Sequence, residues 1–355
     1  VVAVCQFFNY KSFAMRSLIK KILILGLLPL LFLTGCKEDP VTTDVDEFST
    51  LTQYVVQNQL DMNDLLVGWV TSAGGLNVDM NDYSVPDYYV IDIRSADAFN
   101  AGHIKDAHNT TLANVLDEAV NANGKPILVV CYTGQTAARA VGALKLMGYN
   151  AKSLKWGMSA WNTEFAASWD NNAKDISSPN WVEVGEPIAN EEFSYPGFIT
   201  GLTDGADILE ARVRAALQQS GWAATNTEVL ANPENFYIVN KWPRASWDAY
   251  GHLQGAHLLN AEIEVNGLKN LHPTQTNLIY CYTGQTSAIT TMWLNVMGYN
   301  ARSLKFGVNG IAHSKLVVGT AGDAHKKSWK GEGSGSVNNF GYYDSAGTYY
   351  GPTPQ

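Results

Sequence analysis

The sequence predicts an α/β protein built from two copies of one domain, each a mostly parallel central sheet flanked by helices. Three observations carry this. Met147-Gly-Tyr-Asn-Ala-Lys-Ser-Leu-Lys-Trp-Gly157 recurs as Met297-Gly-Tyr-Asn-Ala-Arg-Ser-Leu-Lys-Phe-Gly307, and Cys131-Tyr-Thr-Gly-Gln-Thr136 recurs unchanged as Cys281-Tyr-Thr-Gly-Gln-Thr286, both at an offset of 150 residues. So long a period marks duplicated domains, because solenoids repeat every ~20–50 residues. Within each copy short β-branched runs alternate with longer helical ones, the order of an α/β layer fold. The 355 residues suit about two domains.

The elements follow in order. Residues 88–92 and 126–130 are short apolar, β-branched runs of the kind that form buried parallel strands. Over 136–147, Ala137, Val141, Leu144 and Met147 fall at helical spacing, and 151–154 suits another strand. In the second copy 236–239 and 277–280 are the matching strands and 286–297 the matching helix. The first domain is therefore set at 48–168 and the second at 205–318. Between them 169–204, rich in Asn, Ser and Pro, reads as a linker, and 319–355 is a Gly/Ser/Tyr-rich tail. The tail's Gly331-Glu-Gly-Ser-Gly335 lacks the preceding strand and following helix of a phosphate loop and reads as linker.

Composition excludes several classes. With 24 Lys+Arg against 33 Asp+Glu, the net charge of −9 argues against a nucleic-acid partner. Four cysteines are too few for a disulfide scaffold. The seven histidines show no metal spacing, so neither a metal nor a cofactor is expected; His103/His108 and His252/His257 are echoes of the repeat. No Ser-His-Asp order or carboxylate pair rises above chance.

The N-terminus reads as an address. Residues 1–35 contain no acid and four basic residues, Lys11, Arg16, Lys20 and Lys21. Met15 offers a start, which makes 1–14, with Cys5, an over-extended gene start. The apolar run 22–33 falls short of the ~20 residues of a membrane span and fits the core of a secretory signal. It ends in Leu33-Thr34-Gly35-Cys36, which resembles the lipobox of bacterial lipoproteins. That resemblance implies a lipid on Cys36, a membrane anchor, and a polar tether over 36–47. Lys37, in place of an Asp that would favour the inner membrane, points to the outer membrane, on its periplasmic side or at the cell surface. A plain signal peptide, or a core helix with a chance Cys, is the alternative.

The chemistry is expected where a strand ends and a helix begins. Cys131 and Cys281 each follow a buried-looking strand and precede a helix. Ligands of open parallel sheets bind beyond the carboxyl ends of strands. Loop amides and the positive end of the helix form an anion nest there. Such a nest would lower a thiol pKa from ~8.5 toward ~7, raising the ionised share at pH 7 from about 3% to about half. Gly134 and Gly284 let the loops curl around one sulfur. Tyr132, Thr133, Gln135 and Thr136, with Tyr282, Thr283, Gln285 and Thr286, offer donors to a bound anion. The plainer reading of both cysteines is buried core. A Cys131–Cys281 disulfide needs Cα atoms within ~7 Å, which loops on separate domains are not expected to reach.

Further residues carry a resemblance to a known family. Asp92-Ile-Arg94, Phe99, Gly102-His-Ile104 and Ala107-His-Asn109, the six-residue loop from Cys131, and Gly148-Tyr149, Leu154, Gly157 and Trp161 together resemble the tandem rhodaneses, a sulfurtransferase family. The resemblance covers about 48–168 and 205–318. It implies that a Cys thiolate attacks the outer sulfur of thiosulfate, or takes sulfur from polysulfide, and holds it as a persulfide. Cyanide or a thiol then accepts it in a covalent, ping-pong cycle. Ala137 and Ser287 stand where related phosphatases carry Arg, so phosphate chemistry is disfavoured. The second copy departs from the pattern: Asn240 replaces Asp92, Trp242 replaces Arg94, and Ile311 replaces Trp161. The Asp-x-Arg pair is chiefly structural in the family, so both Cys131 and Cys281 are expected to be catalytic. Neither loop carries Lys or Arg; Lys155 and Lys305 are the candidates to supply charge. The alternatives are a non-catalytic sulfur-binding or carrier lipoprotein, and a scaffold that has lost activity.

Overall fold

A computed structural model describes residues 46–331 and 337–352. The signal segment, Cys5, Cys36, Lys37, nearly all of the expected tether and most of the Gly331–Gly335 stretch lie outside the described residues. Asp46 and Glu47, assigned to the tether, already belong to the fold: Asp46 caps helix α1 (Glu47–Gln57), taking the Ser49 amide.

The first sheet is formed by β1 (Val70–Thr71), β2 (Tyr89–Asp92), β3 (His108–Asn109), β4 (Ile127–Val130) and β5 (Ala151–Leu154), in the order β1-β5-β4-β2-β3. Between β4 and β5 runs helix α2 (Gln135–Leu146). A two-residue strand, β6 (Trp181–Val182), lies in the connection, and helix α3 (Gly205–Gln218) opens the second half. There β7 (Ala223–Ala224), β8 (Phe236–Asn240), β9 (His252–Leu253), β10 (His257–Leu258), β11 (Thr276–Tyr280), helix α4 (Gln285–Val296) and β12 (Ala301–Leu304) follow. The second sheet has the order β7-β12-β11-β8-β10, the same as the first. Every pairing within both sheets is parallel. The central strands are buried on both faces, as the continuous apolar runs required.

The two halves share one core. Ala140, Val141 and Leu144 of α2 and Ile289, Met292 and Trp293 of α4 belong to a single apolar cluster, with residues of α1 and α3. The approach is close: a Cβ on Gly142 would stand 3.1 Å from Ile289 Cγ1 and 3.3 Å from Met292. Arg139 lies fully buried at this seam and donates to Asn295 Oδ1 (3.0 Å) and to the Ala216 carbonyl (2.7 Å).

The linker and tail both make specific contacts with the two halves. Within 169–204, Trp169 is fully buried, β6 pairs antiparallel with β9, and Thr200 and Gly201 donate to the Glu47 carboxylate. These contacts anchor the segment at points along its path, while most of its side chains stay exposed. The tail is likewise anchored. Trp161 Nε1 donates to the Gly341 carbonyl, His103 bridges to Tyr343, and Trp329 joins Trp156 and Trp169 in a buried aromatic group. Its glycines make room for such contacts: a Cβ on Gly341 would sit 2.5 Å from the Tyr349 ring. Among the described residues no helix is long and apolar enough to cross a membrane.

Candidate functional site

Both cysteines sit where the sequence placed them, one residue past the central strand of each sheet. β4 pairs with β2 so that Val130 faces Asp92, and β11 pairs with β8 so that Tyr280 faces Asn240. Ile93 and Lys241 therefore flank Cys131 and Cys281: their amides donate to the Val130 and Tyr280 carbonyls at 2.9 and 2.8 Å. Each loop turns back through a left-handed glycine, Gly134 (φ 80°) and Gly284 (φ 75°), which also begins the helix. Gly157 and Gly307 let the closing segments lie against the loops; a Cβ on either would stand 2.2 Å from the carbonyl oxygen of Cys131 or Cys281.

At Cys131 amides converge on the sulfur. The Gly134 and Ala137 amides donate to Sγ at 3.1 and 3.4 Å, and the Thr133 amide adds to them. These bonds favour the thiolate, but the sulfur is deeply buried. Burial pushes the thiol up and outweighs the three amides, with the Asp92 carboxylate acting in the same upward direction. The expectation of a lowered pKa at this cysteine is thus overturned for the closed site, because desolvation is the larger effect.

At Cys281 the amide ring is missing. Among the described residues no backbone N–H donates to Sγ; its partner is Ser287 Oγ at 3.7 Å. Ser287 and Ser303 hydroxyls lie 2.7 Å apart, and Ser303 donates to the Gly284 carbonyl at 3.3 Å. Each hydroxyl has one hydrogen. Ser303 spends its own on Gly284, so Ser287 donates to Ser303 and accepts from the Cys281 thiol. The chain has a direction, with the Cys281 thiol as the donor at its sulfur end. In the first half Ser153 makes the same bond to Gly134, also at 3.3 Å, but Ala137 has no hydroxyl to extend it. The expectation of two equivalent nests therefore fails in the second half.

The other predicted residues divide. Tyr132 is exposed, with the Arg94 guanidinium 4.9 Å from its ring centre. Tyr282 is buried against Ser246, beneath the Lys327 ammonium. Thr133 accepts from Gln135 Nε2 through its hydroxyl and from Trp169 Nε1 through its carbonyl. Thr283 accepts the Gln285 amide. Thr136 and Thr286 are half-buried at the helix starts. Gln135 and Gln285, expected to face a bound anion, turn to the opposite half instead. The Phe306 amide donates to Gln135 Oε1 at 2.7 Å, and a Cβ on Gly134 would lie 2.9 Å from Gln285 Oε1. Close packing of α2 on α4 brings these loops together. Both thiols are nonetheless free.

Asp92 and Arg94 form a buried ion pair at 2.6 Å, and Arg94 also donates to the Gly102 carbonyl. In the second half Asn240 Nδ2 donates to the Tyr280 hydroxyl at 2.7 Å and Trp242 fills the space apolarly, so the pair is replaced by packing. The four repeat histidines stack on aromatic rings, His103 on Phe99, His108 on Tyr89, His252 on Trp247 and His257 on Tyr237. Lys305 is exposed, and Lys155 donates to the Lys326 carbonyl. The charge near Cys281 comes from two lysines that sequence reasoning passed over. Burial brings Lys241 down to about 8, while Lys327 enters from the tail; both are within electrostatic reach of the Cys281 sulfur. The signal for Lys241 was a lone charge in the buried run that ends β8; nothing in the sequence marked Lys327. Cavities of about 450 Å3 beside Tyr250 and Lys315 and of about 270 Å3 beside Tyr88 and Lys105 open away from both sulfurs.

Comparison with known proteins completes the picture. The model of the rhodanese-like domain matches residues 75–164, which include Cys131. A thiosulfate sulfurtransferase GlpE of Pseudomonas putida is 35% identical over 88 residues, 24% of this chain and 80% of that protein. Its counterpart from Shewanella oneidensis is 36% identical over 75 residues, 21% of this chain and 74% of the relative. A rhodanese-related protein structure from Thermoplasma volcanium is 22% identical, covering 26% of this chain and 88% of that one, with a TM-score of 0.23. Because the Pseudomonas putida relative is 35% identical and matched over 80% of its length, the chain belongs to the rhodanese family.

Proposed function

We propose that the protein is a sulfurtransferase that moves sulfane sulfur from thiosulfate or polysulfide to cyanide or a thiol through a cysteine persulfide. The observation that carries this reading is the convergence of the Gly134 and Ala137 amides on Cys131 Sγ at the end of a central parallel strand. Attack of the thiolate on the outer sulfur forms the S–S bond and expels sulfite with the electron pair. The loop amides then face the persulfide's outer charge. Transfer to cyanide releases thiocyanate and returns the thiolate. Cys131 is the principal nucleophile, and Cys281 a second, differently tuned one.

Burial of both sulfurs favours one further reading, a carrier that loads sulfur and discharges it only to a partner. Thiocyanate production from thiosulfate and cyanide tests the two, with wild type, Cys131→Ala, Cys281→Ala and the double variant. Turnover abolished in the double variant supports the enzyme. No turnover, with a one-sulfur mass gain after polysulfide, supports the carrier. Turnover that survives both substitutions overturns the cysteine mechanism.

The Leu33–Cys36 motif and the acid-free leader support a lipid anchor on Cys36 in the cell envelope, at the outer membrane. Intact mass of the mature protein from membranes tests this: a lipid-modified N-terminal Cys36 supports it, and an unmodified chain overturns it.

A further inference from the structure

We propose that Lys241 is the positioning residue of the second site, its ammonium stabilising the Cys281 thiolate in place of the absent amide ring. The two residues are register neighbours. Asn240 faces Tyr280 across the β8–β11 pair, and the Lys241 amide donates to the Tyr280 carbonyl at 2.8 Å, which sets both side chains at the ends of adjacent strands. The position is unusual for a lysine. The residue is 95% buried by its 5% exposure, and its first-half equivalent is the apolar Ile93. An isolated ammonium is costly to bury. Here Nζ donates to the Asn260 carbonyl at 2.6 Å, and among the described residues the charges of opposite sign in reach are the Cys281 sulfur when ionised, Glu262 and Glu264.

The remaining groups around the pair are accounted for. Lys327 and Asp323 come from the tail segment, and Tyr282 from the loop; each of these bears on Cys281 directly or through its neighbour. Lys327 is itself held at the Gly322 carbonyl and spread over the Tyr282 ring, so Lys241 is the deeper cation. The hydroxyl chain through Ser287 and Ser303 opposes ionisation. When the S–H bond breaks, the proton leaves to water and the electron pair stays on sulfur. Lys241 keeps its own proton, and the Ser287 hydroxyl turns to donate. A thiolate stabilised by a counter-charge instead of by amides responds to pH and salt in a way that Cys131 does not.

The inference rests on Cys281 being a working nucleophile, yet its test needs no sulfur donor, so loss of sulfur transfer and failure of the pairing are separable. Iodoacetamide alkylation of Cys281 is followed in the full chain by the mass of its peptide between about pH 5.5 and 10. The pH midpoint is read, because restricted access of the reagent slows alkylation by the same factor at every pH and leaves the midpoint in place. Lys241→Met is expected to raise the midpoint by about one unit, a roughly tenfold slower reaction at pH 7. Lys241→Arg is expected to restore it. In the first half, Ile93→Lys is expected to lower the midpoint of Cys131, and this variant decides the matter if Lys241→Met does not fold. Coincident midpoints for wild type and Lys241→Met, or an unmoved Cys131 midpoint in a folded Ile93→Lys, overturn the proposal.

Discussion

The loops at Cys131 and Cys281 share six identical residues, yet the structure gives them opposite hydrogen-bond polarity. The first sulfur accepts amide hydrogens, while the second gives its hydrogen to a serine. The sequences first differ one residue beyond the shared motif, at Ala137 and Ser287. The Ala137 amide serves its sulfur, and its methyl offers no hydroxyl to the thiol. A hydroxyl joins Ser303 and converts the pocket into an acceptor for the thiol. Loop identity therefore does not fix thiol chemistry; the neighbouring strand ends and helix starts do.

The contrast can be broken most sharply at the sulfurs themselves. Cys131→Ala is expected to lower thiocyanate formation by about a hundredfold or more and Cys281→Ala by severalfold, since only the first sulfur is poised by amides. Equal losses would erase the asymmetry. Next in size is the buried pair of the first half. Asp92→Ala strands the Arg94 guanidinium and is expected to cost about 3–5 kcal/mol in urea unfolding. Asn240→Ala removes one neutral hydrogen bond, for about 1 kcal/mol.

A pH effect separates the halves further. Lys241 titrates near 8 when folded and at its ordinary 10.5 when unfolded. Between those values the unfolded chain binds more protons, so this group's contribution to stability rises with pH across the window, by about 3 kcal/mol at most. The difference between wild type and Lys241→Met in unfolding experiments should therefore move in favour of wild type from pH 8 to 10.5; a flat difference contradicts the assignment. The smallest change is the exchange of the two discriminating residues. Ser287→Ala should raise the alkylation rate of Cys281 at neutral pH by about tenfold, and Ala137→Ser should lower that of Cys131 by a similar factor.

Much of the fold was legible because it is written locally. The apolar β-branched runs placed β4 and β11 within a residue of their observed ends, and the helical spacing after each loop placed α2 and α4 equally well. The cysteines followed from strand ends and loop glycines. What stayed hidden depends on residues far apart in sequence. The packing of Gly341 on Trp161, the anchoring of 169–204 and the crossing of Gln135 to Phe306 arise from contacts between segments far apart in sequence, which no local pattern encodes. The raised pKa of Cys131 was missed for the same reason. Amides lie within the loop and can be anticipated, whereas the burial that desolvates the sulfur depends on how the whole half folds around it.

The helix layer between the two sheets makes each half the other's shelter from solvent. A gene severed between residues 168 and 205 would release two fragments, each with a bare aliphatic flank, and the N-terminal one would also carry Arg139 without its Ala216 and Asn295 acceptors. Each piece would have to find a new cover for that flank before it could stay folded in water.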